Sequence, residues 1–189
     1  MSGLAPKILE AQNRLHEQLE AAYGGYRLER DTMQESILWL DAPAALPTLV
    51  LRLKADPALR LESLSDITAY DNIDQVDGTQ RFVVVVQLYS LSFHSRLRLK
   101  LLVGEEELVP SLTGIWPAAN WLEREVFDLF GIRFAGHPDL RRILMDERFK
   151  GHPLRKEYDL KDRQPFEDSL PVRLAPHGPE QGRQKGTKI

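Results

Sequence analysis

The stretch that most constrains the fold is Asn120–Leu144, reading NWLEREVFDLFGIRFAGHPDLRRIL. It opens as a short helix, apolar nearly all the way round, that carries three consecutive charges, Glu123, Arg124 and Glu125. A Gly-His-Pro turn with paired arginines behind it follows. A buried charge without a partner is strongly unfavourable. This helix therefore has to be clamped on more than one side.

On a helical wheel at about 100° per residue, Ala118, Leu122, Val126 and Leu129 share one sector, with Phe130 at its edge. That sector is the expected core face. Phe127 lies nearly opposite, and Trp121 lies off the other flank. Glu123 falls between Phe130 and Phe127, and Glu125 between Trp121 and the core sector. Arg124 shares the remaining sector with Asn120 and Asp128, so Arg124–Asp128 is a natural i,i+4 ion pair. Three readings of the glutamates stand side by side. They accept hydrogen bonds from nearby arginines such as Arg133, Arg141 or Arg142, they bond across an interface to another chain, or they act as a catalytic carboxylate pair. Their separation of about 160° on the wheel keeps them from converging on one substrate, which argues against the dyad.

Gly131 suits the left-handed residue that stops a helix. Beyond it, Gly136-His137-Pro138 with Leu140-Arg141-Arg142 is echoed fifteen positions on by Gly151-His152-Pro153 with Leu154-Arg155-Lys156. Two such turns can aim basic pairs at the acidic helix or offer cations to an acidic neighbour. His137 and His152 are metal-ligand types, but no carboxylate stands beside either at a recognisable spacing, and the proline after each makes a turn residue the simpler account. The cations are not interleaved with aromatics as base stacking requires. No phosphate-binding loop, dinucleotide fingerprint or nucleophile elbow is present in the sequence. The residues alone point to a scaffold or interaction subunit.

Taken in order, the chain reads helix, strand, helix, three strands, helix, arm. A helix spans 2–22, with Ser2 as its cap and Gly24-Gly25 beyond its end. A strand at 36–40 is followed by a segment at 44–54 that fits helix or strand, and flanking prolines favour helix. Strands follow at 61–70 and 82–91, the second apolar on both faces at its start and so covered on both sides there. A polar turn between them has Asp77-Gly78 at its tip. Residues 95–103 alternate cleanly, Leu97, Leu99 and Leu101 against Arg96, Arg98 and Lys100, as a half-buried antiparallel strand does. That row of cations is a solvated face or a partner surface. Residues 109–113 are a connector, and Pro117 begins the charged helix. The fold class expected is α+β in two layers: a mainly antiparallel four-stranded sheet with helices packed on it, plus an extended C-terminal arm. Residues 1–150 form the domain, and 151–189, poor in large apolar side chains, form an arm without a core of its own.

The balance of 25 basic and 28 acidic side chains argues against nucleic acid as a partner. The absence of cysteine excludes disulfides and thiolate ligation of zinc or iron–sulfur clusters. No signal peptide is expected from the first residues, and FVVVV is far short of the roughly 20 residues of a membrane-spanning helix.

Glu123-Arg124-Glu125, Asp128-Leu129-Phe130-Gly131-Ile132 and Gly136-His137-Pro138-Asp139-Leu140-Arg141-Arg142-Ile143-Leu144 together resemble the signature of the C-subunit (30 kDa-type) family of proton-pumping NADH:quinone oxidoreductase, respiratory complex I. Gly151-His152-Pro153-Leu154-Arg155-Lys156-Glu157-Tyr158 matches the second turn of that family, and Leu64 to Asp71 and Ile115 to Trp121 also fit. The resemblance implies a non-redox structural subunit of the peripheral arm. It implies packing against the D subunit, beside the B and I subunits, with iron–sulfur clusters and quinone on those neighbours and no cofactor on this chain. Attachment to the cytoplasmic face of the inner (plasma) membrane is then peripheral, through the complex, and the chain resembles the form not fused to the D subunit. Glu123, Arg124, Glu125, Asp128, Gly131, His137, Pro138, Arg141, Arg142, His152, Pro153 and Arg155 carry over as motif residues that hold fold and interface, none of them catalytic. Related subunits occur in membrane-bound hydrogenases and in ferredoxin- or F420-linked dehydrogenases.

Overall fold

The computed structural model describes residues 6–75, 80–159, 161 and 164. The alternation in Ser95–Gly104 (β5) organises it. Leu97, Leu99, Leu101 and Val103 point to one face and are wholly buried. β5 pairs antiparallel with Gln80–Ser90 (β4) and parallel with Ser36–Leu40 (β2). Ser63–Asp71 (β3) adds antiparallel to β4, and Arg27–Arg30 (β1) adds antiparallel to β2. The order is β1-β2-β5-β4-β3, so the sheet has five strands where four were expected. The extra strand, β1, reads RLER. It is short and charged, as exposed edge strands are, and carries no apolar alternation to reveal it.

Three helices pack on the Leu97 face. Pro6–Tyr23 (α1) buries Gln12, Leu15, Leu19 and Tyr23. Leu46–Ala55 (α2), led in by a 3-10 turn at Pro43–Ala45, buries Leu46, Leu49, Val50 and Leu53 and leaves Leu51 outside, which settles the ambiguous segment as helix. Ala119–Phe130 (α3) adds Val126 and Phe130, and one continuous core joins the three helices to the sheet. The expected Ser2 cap, the Asp77-Gly78 tip and residues 165–189 of the arm lie outside the described residues.

Both faces of β4 are buried at its start, Phe82 and Val84 toward the helices, Val83 and Val85 away from them. On that second face Lys100 lies over the Trp39 ring at 5.2 Å and the Tyr70 ring at 5.7 Å. Its stem thus crosses β4, which runs between the strands of Lys100 and Tyr70. Arg98 forks onto Asp31 at 2.7 Å and Glu35 at 2.6 Å. Arg96 also meets Glu35. Acids of the β1–β2 connection therefore answer two of the three cations in this row.

The connector at 109–113 begins with a short strand, Leu108–Pro110 (β6), which pairs in parallel with Arg133–Ala135 (β7) just after α3. α3 is thus the crossover between two parallel strands, as a parallel pair requires. Ser111 N–H donates to the Ala135 carbonyl and extends the pairing by one bond.

Candidate functional site

α3 turns a different stripe to the core than its apolar residues predict. Ala119, Glu123, Val126 and Phe130 are buried, Leu122 and Leu129 are half-buried, and Ala118 is exposed. Glu123 sits in the middle of the core face. Its carboxylate accepts the Leu112 N–H at 2.6 Å and the Ser111 hydroxyl at 2.7 Å, fastening the β6–α3 connector to the helix. No arginine among the described residues reaches it, so the arginine-acceptor reading is corrected for this residue. Burial pushes its carboxyl above the usual range, against the pull of those two donors and of His137.

Arg124 and Asp128 share a stripe as expected, but they do not pair with each other. Arg124 donates to the carbonyls of Arg141 at 3.0 Å and Arg142 at 3.3 Å and lies 5.0 Å over the Trp121 ring. Asp128 accepts three successive backbone N–H groups, from Ile143, Leu144 and Met145, at 2.8–3.0 Å, and the Arg142 guanidinium at 2.8 Å. The main chain of 141–145 offered both charges more than they offered each other. Its carbonyls take the cation and its amides take the anion. Burial works to raise the Asp128 pKa, but these donors outweigh it and hold the carboxyl below its ordinary value.

The two Gly-His-Pro turns grip opposite ends of α3. Gly136 and Gly151 open them with φ of +82° and +86°. His137 Nδ1 accepts the Asp139 N–H, which leaves Nε2–H to donate to the Asn120 carbonyl in the first turn of α3. His152 Nδ1–H donates to the Asp128 carbonyl in the last. Leu154 N–H and Arg155 Nε then take the Leu129 and Phe130 carbonyls, which have no partner within the helix. Between the two carbonyls held by the histidines the helix rises about 12 Å, so the imidazoles cannot share one ion. Among the described residues no group of three or more potential ligands gathers around a metal position.

Gly131 closes the helix at φ +78°, and a Cβ there would meet His152 at 2.6 Å and Arg155 at 2.7 Å. Pro138 is exposed and Pro153 half-exposed. Arg141 pairs with Asp139 and Lys156 with Asp74. Of the motif charges, Glu125 stands apart. It is exposed, and no hydrogen bond or ion pair ties it to another described side chain.

A second cluster, absent from the sequence expectations, holds residues 155–157 to the sheet. Asp71, buried at the end of β3, accepts Arg81 at 2.6 and 3.2 Å and the Lys156 N–H at 2.9 Å. Arg81 also meets Glu157 and Glu105, and Arg155 meets Glu105 at 2.6 Å. Asp71 and Arg81 bracket the β3–β4 turn, and an opposite-charge pair closing a hairpin was the available signal.

A family model described as Respiratory-chain NADH dehydrogenase, 30 Kd subunit, matches residues 40–164. The chain belongs to this family. The NADH-quinone oxidoreductase C subunit of a Ruegeria species is 45% identical over 151 residues, 80% of this chain and 74% of that one. The mitochondrial NADH dehydrogenase (ubiquinone) iron-sulfur protein 3 of Candida albicans is 45% identical over 67% of this chain, which spans 46% of that protein. Among solved structures, the trypsin-resistant fragment (1-134) of Nqo5 matches with a TM-score of 0.58 and 36% identity, over 67% of this chain and 99% of the fragment. The α+β core with the signature helix is thus the family's own fold. No helix among the described residues is long and apolar enough to cross a membrane.

Proposed function

We propose that this chain is the non-redox structural C subunit of a proton-translocating NADH:quinone oxidoreductase. It sits in the peripheral arm at the cytoplasmic face of the membrane, packs against the D-subunit homologue beside the B and I subunits, and helps hold the quinone and iron–sulfur subunits in place. One observation carries this reading. Of the motif's charges, Glu123, Arg124, Asp128, Arg142 and Arg155, with His137 and His152, are bonded within the chain, mostly to main-chain groups around α3. They build a frame. Two cavities of about 320 Å³ lie elsewhere, between α1 and the β4–β5 hairpin, lined by residues such as Lys7, Arg14, Phe93 and His94. A frame of this kind presents a rigid surface to neighbours, and the chemistry belongs to the cofactors they carry.

The test is purification of the tagged chain from gently solubilised native membranes. A large iron–sulfur assembly with NADH-linked quinone reduction is expected. Elution of the chain alone as a monomer would overturn the proposal. Reduction driven by ferredoxin, F420 or hydrogen in place of NADH would move the chain to one of the sister complexes.

A further inference from the structure

Of the three consecutive charges in the signature, Glu123 and Arg124 are buried and bonded within the chain. Glu125 is neither. It lies one helical turn after Trp121, which keeps 63% of its surface exposed although Arg124 is stacked on it. Residues three and four apart on a helix are surface neighbours. By that spacing its neighbours are Trp121, Leu122, Asp128 and Leu129; Asp128 is wholly buried and bonded to the 142–145 segment, and the two leucines are half-buried at the rim of the core, so the exposed side chains around Glu125 are apolar. A bare carboxylate set among apolar side chains is tolerable in water and unfavourable once another molecule covers it, unless that molecule supplies a cation.

Resting on the assembly reading above, we propose that Trp121 and Glu125 form a receptor for a single arginine on a neighbouring protein of the assembly. The guanidinium stacks on the indole and donates to the carboxylate. The arrangement suits arginine more than lysine, because a planar guanidinium can stack on a ring and bond a carboxylate together. Arg124 takes part as a positioning residue. Its head, fixed by the Arg141 and Arg142 carbonyls, holds the indole in place. Exposed tryptophan beside a charge awaiting its partner is the composition of an interface hot spot.

The experiment replaces Trp121 by a photo-crosslinking benzoylphenylalanine in the tagged chain, expressed in native membranes. Irradiation of the purified assembly is followed by peptide mapping. The expected product is one peptide of another protein of the assembly with an arginine beside the cross-linked residue. Glu125→Lys should lower recovery of that protein about tenfold or more, and changing the mapped arginine to glutamate should restore it. The free Glu125→Lys chain should unfold at the wild-type temperature, since the site is exposed. Cross-links confined to this chain, to a second copy of it or to lipid would overturn the inference, as would normal assembly of Glu125→Lys. If the unmodified chain itself fails to enter an assembly, the function proposed above has failed, and the two failures are told apart by that control.

Discussion

Asp128 and Arg124 look equivalent on a helical wheel, and the structure separates them. Asp128 answers four donors, one of them a cation, whereas Arg124 answers two neutral carbonyls. Removing the carboxylate strands the Arg142 charge and three amides. Removing the guanidinium strands only acceptors, which water can reach more cheaply. Asp128→Ala should therefore cost about 3–5 kcal/mol and Arg124→Ala about 1–3 kcal/mol, read as the difference in urea unfolding free energy. Equal losses would mean that the two charges do act as a pair. The wheel showed that these residues share a stripe. It could not show that the backbone returning from the first Gly-His-Pro turn would offer amides to one and carbonyls to the other, because that depends on the path of 139–145.

The same residues set a pH signature. Burial, with Arg155 and Arg142 nearby, lowers the His152 pKa against the pull of the Asp128 carbonyl. The folded state thus takes up that proton less readily than the unfolded chain. The stability His152 contributes is complete above its ordinary value of 6.5 and is lost as pH falls through the window beneath it. Glu123 has the opposite sign, since burial raises its pKa above 4.5 and protonation on acidification favours the fold. Asp71 and Asp128 are held below 3.8, so their contributions persist until the pH falls beneath that value. His152→Gln should flatten the fall in melting temperature below pH 6.5. Glu123→Gln should steepen it, because the compensating proton uptake is gone. Parallel curves for both variants and the wild type would refute this assignment.

At the scale of elements, α3 is held at both termini by one repeated device, and Gly131 is where the second copy closes on it. Gly131 and Gly136 have nearly the same left-handed backbone, but a Cβ on Gly131 would strike His152 and Arg155, whereas nothing lies within 4 Å of one on Gly136. Gly136→Ala should cost only the backbone term of about 1–2 kcal/mol. Gly131→Ala should cost more and should also speed amide exchange at the last turn of α3, because it pushes away the side chains that cap the Asp128 and Phe130 carbonyls. Indistinguishable exchange in the two variants would show that the second turn does not cap the helix. The device was legible in the sequence as a fifteen-residue echo, and so was β5, whose period is strict. β1, β6 and β7 were not, since three or four residues are too few to show a period: β1 forms because β2 offers it an edge, and β6 and β7 form because the crossover through α3 brings them side by side.

At the scale of the molecule, the segment that begins at Gly151 is joined to the domain by two different physical means. Its first residues cap a helix through bonds to that helix's main-chain carbonyls. Residues 155–157 are held by a network of side-chain charges, Asp71, Arg81, Glu105, Arg155 and Glu157, in which Arg81 is the hub. Asp71 pairs through a nearly buried side chain, while Glu105 and Glu157 are about half exposed, so the outer part of the network is open to screening by salt. Arg81→Gln removes the hub and leaves the Asp71 carboxylate with only its amide donors. Trypsin needs local opening to cut after Arg155 or Lys156. Cleavage there should be about tenfold faster in Arg81→Gln than in the wild type. In the wild type it should quicken as salt rises from about 0.1 M to 1 M, after correction for the enzyme's own salt response on a short peptide. Arg27→Gln, which breaks an exposed pair with Glu29 at the far edge of the sheet, is the control and should leave the rate unchanged. If Arg81→Gln and Arg27→Gln are cut alike, the bonds from 152–155 to the carbonyls of α3 hold this segment alone and the charge network is incidental to it.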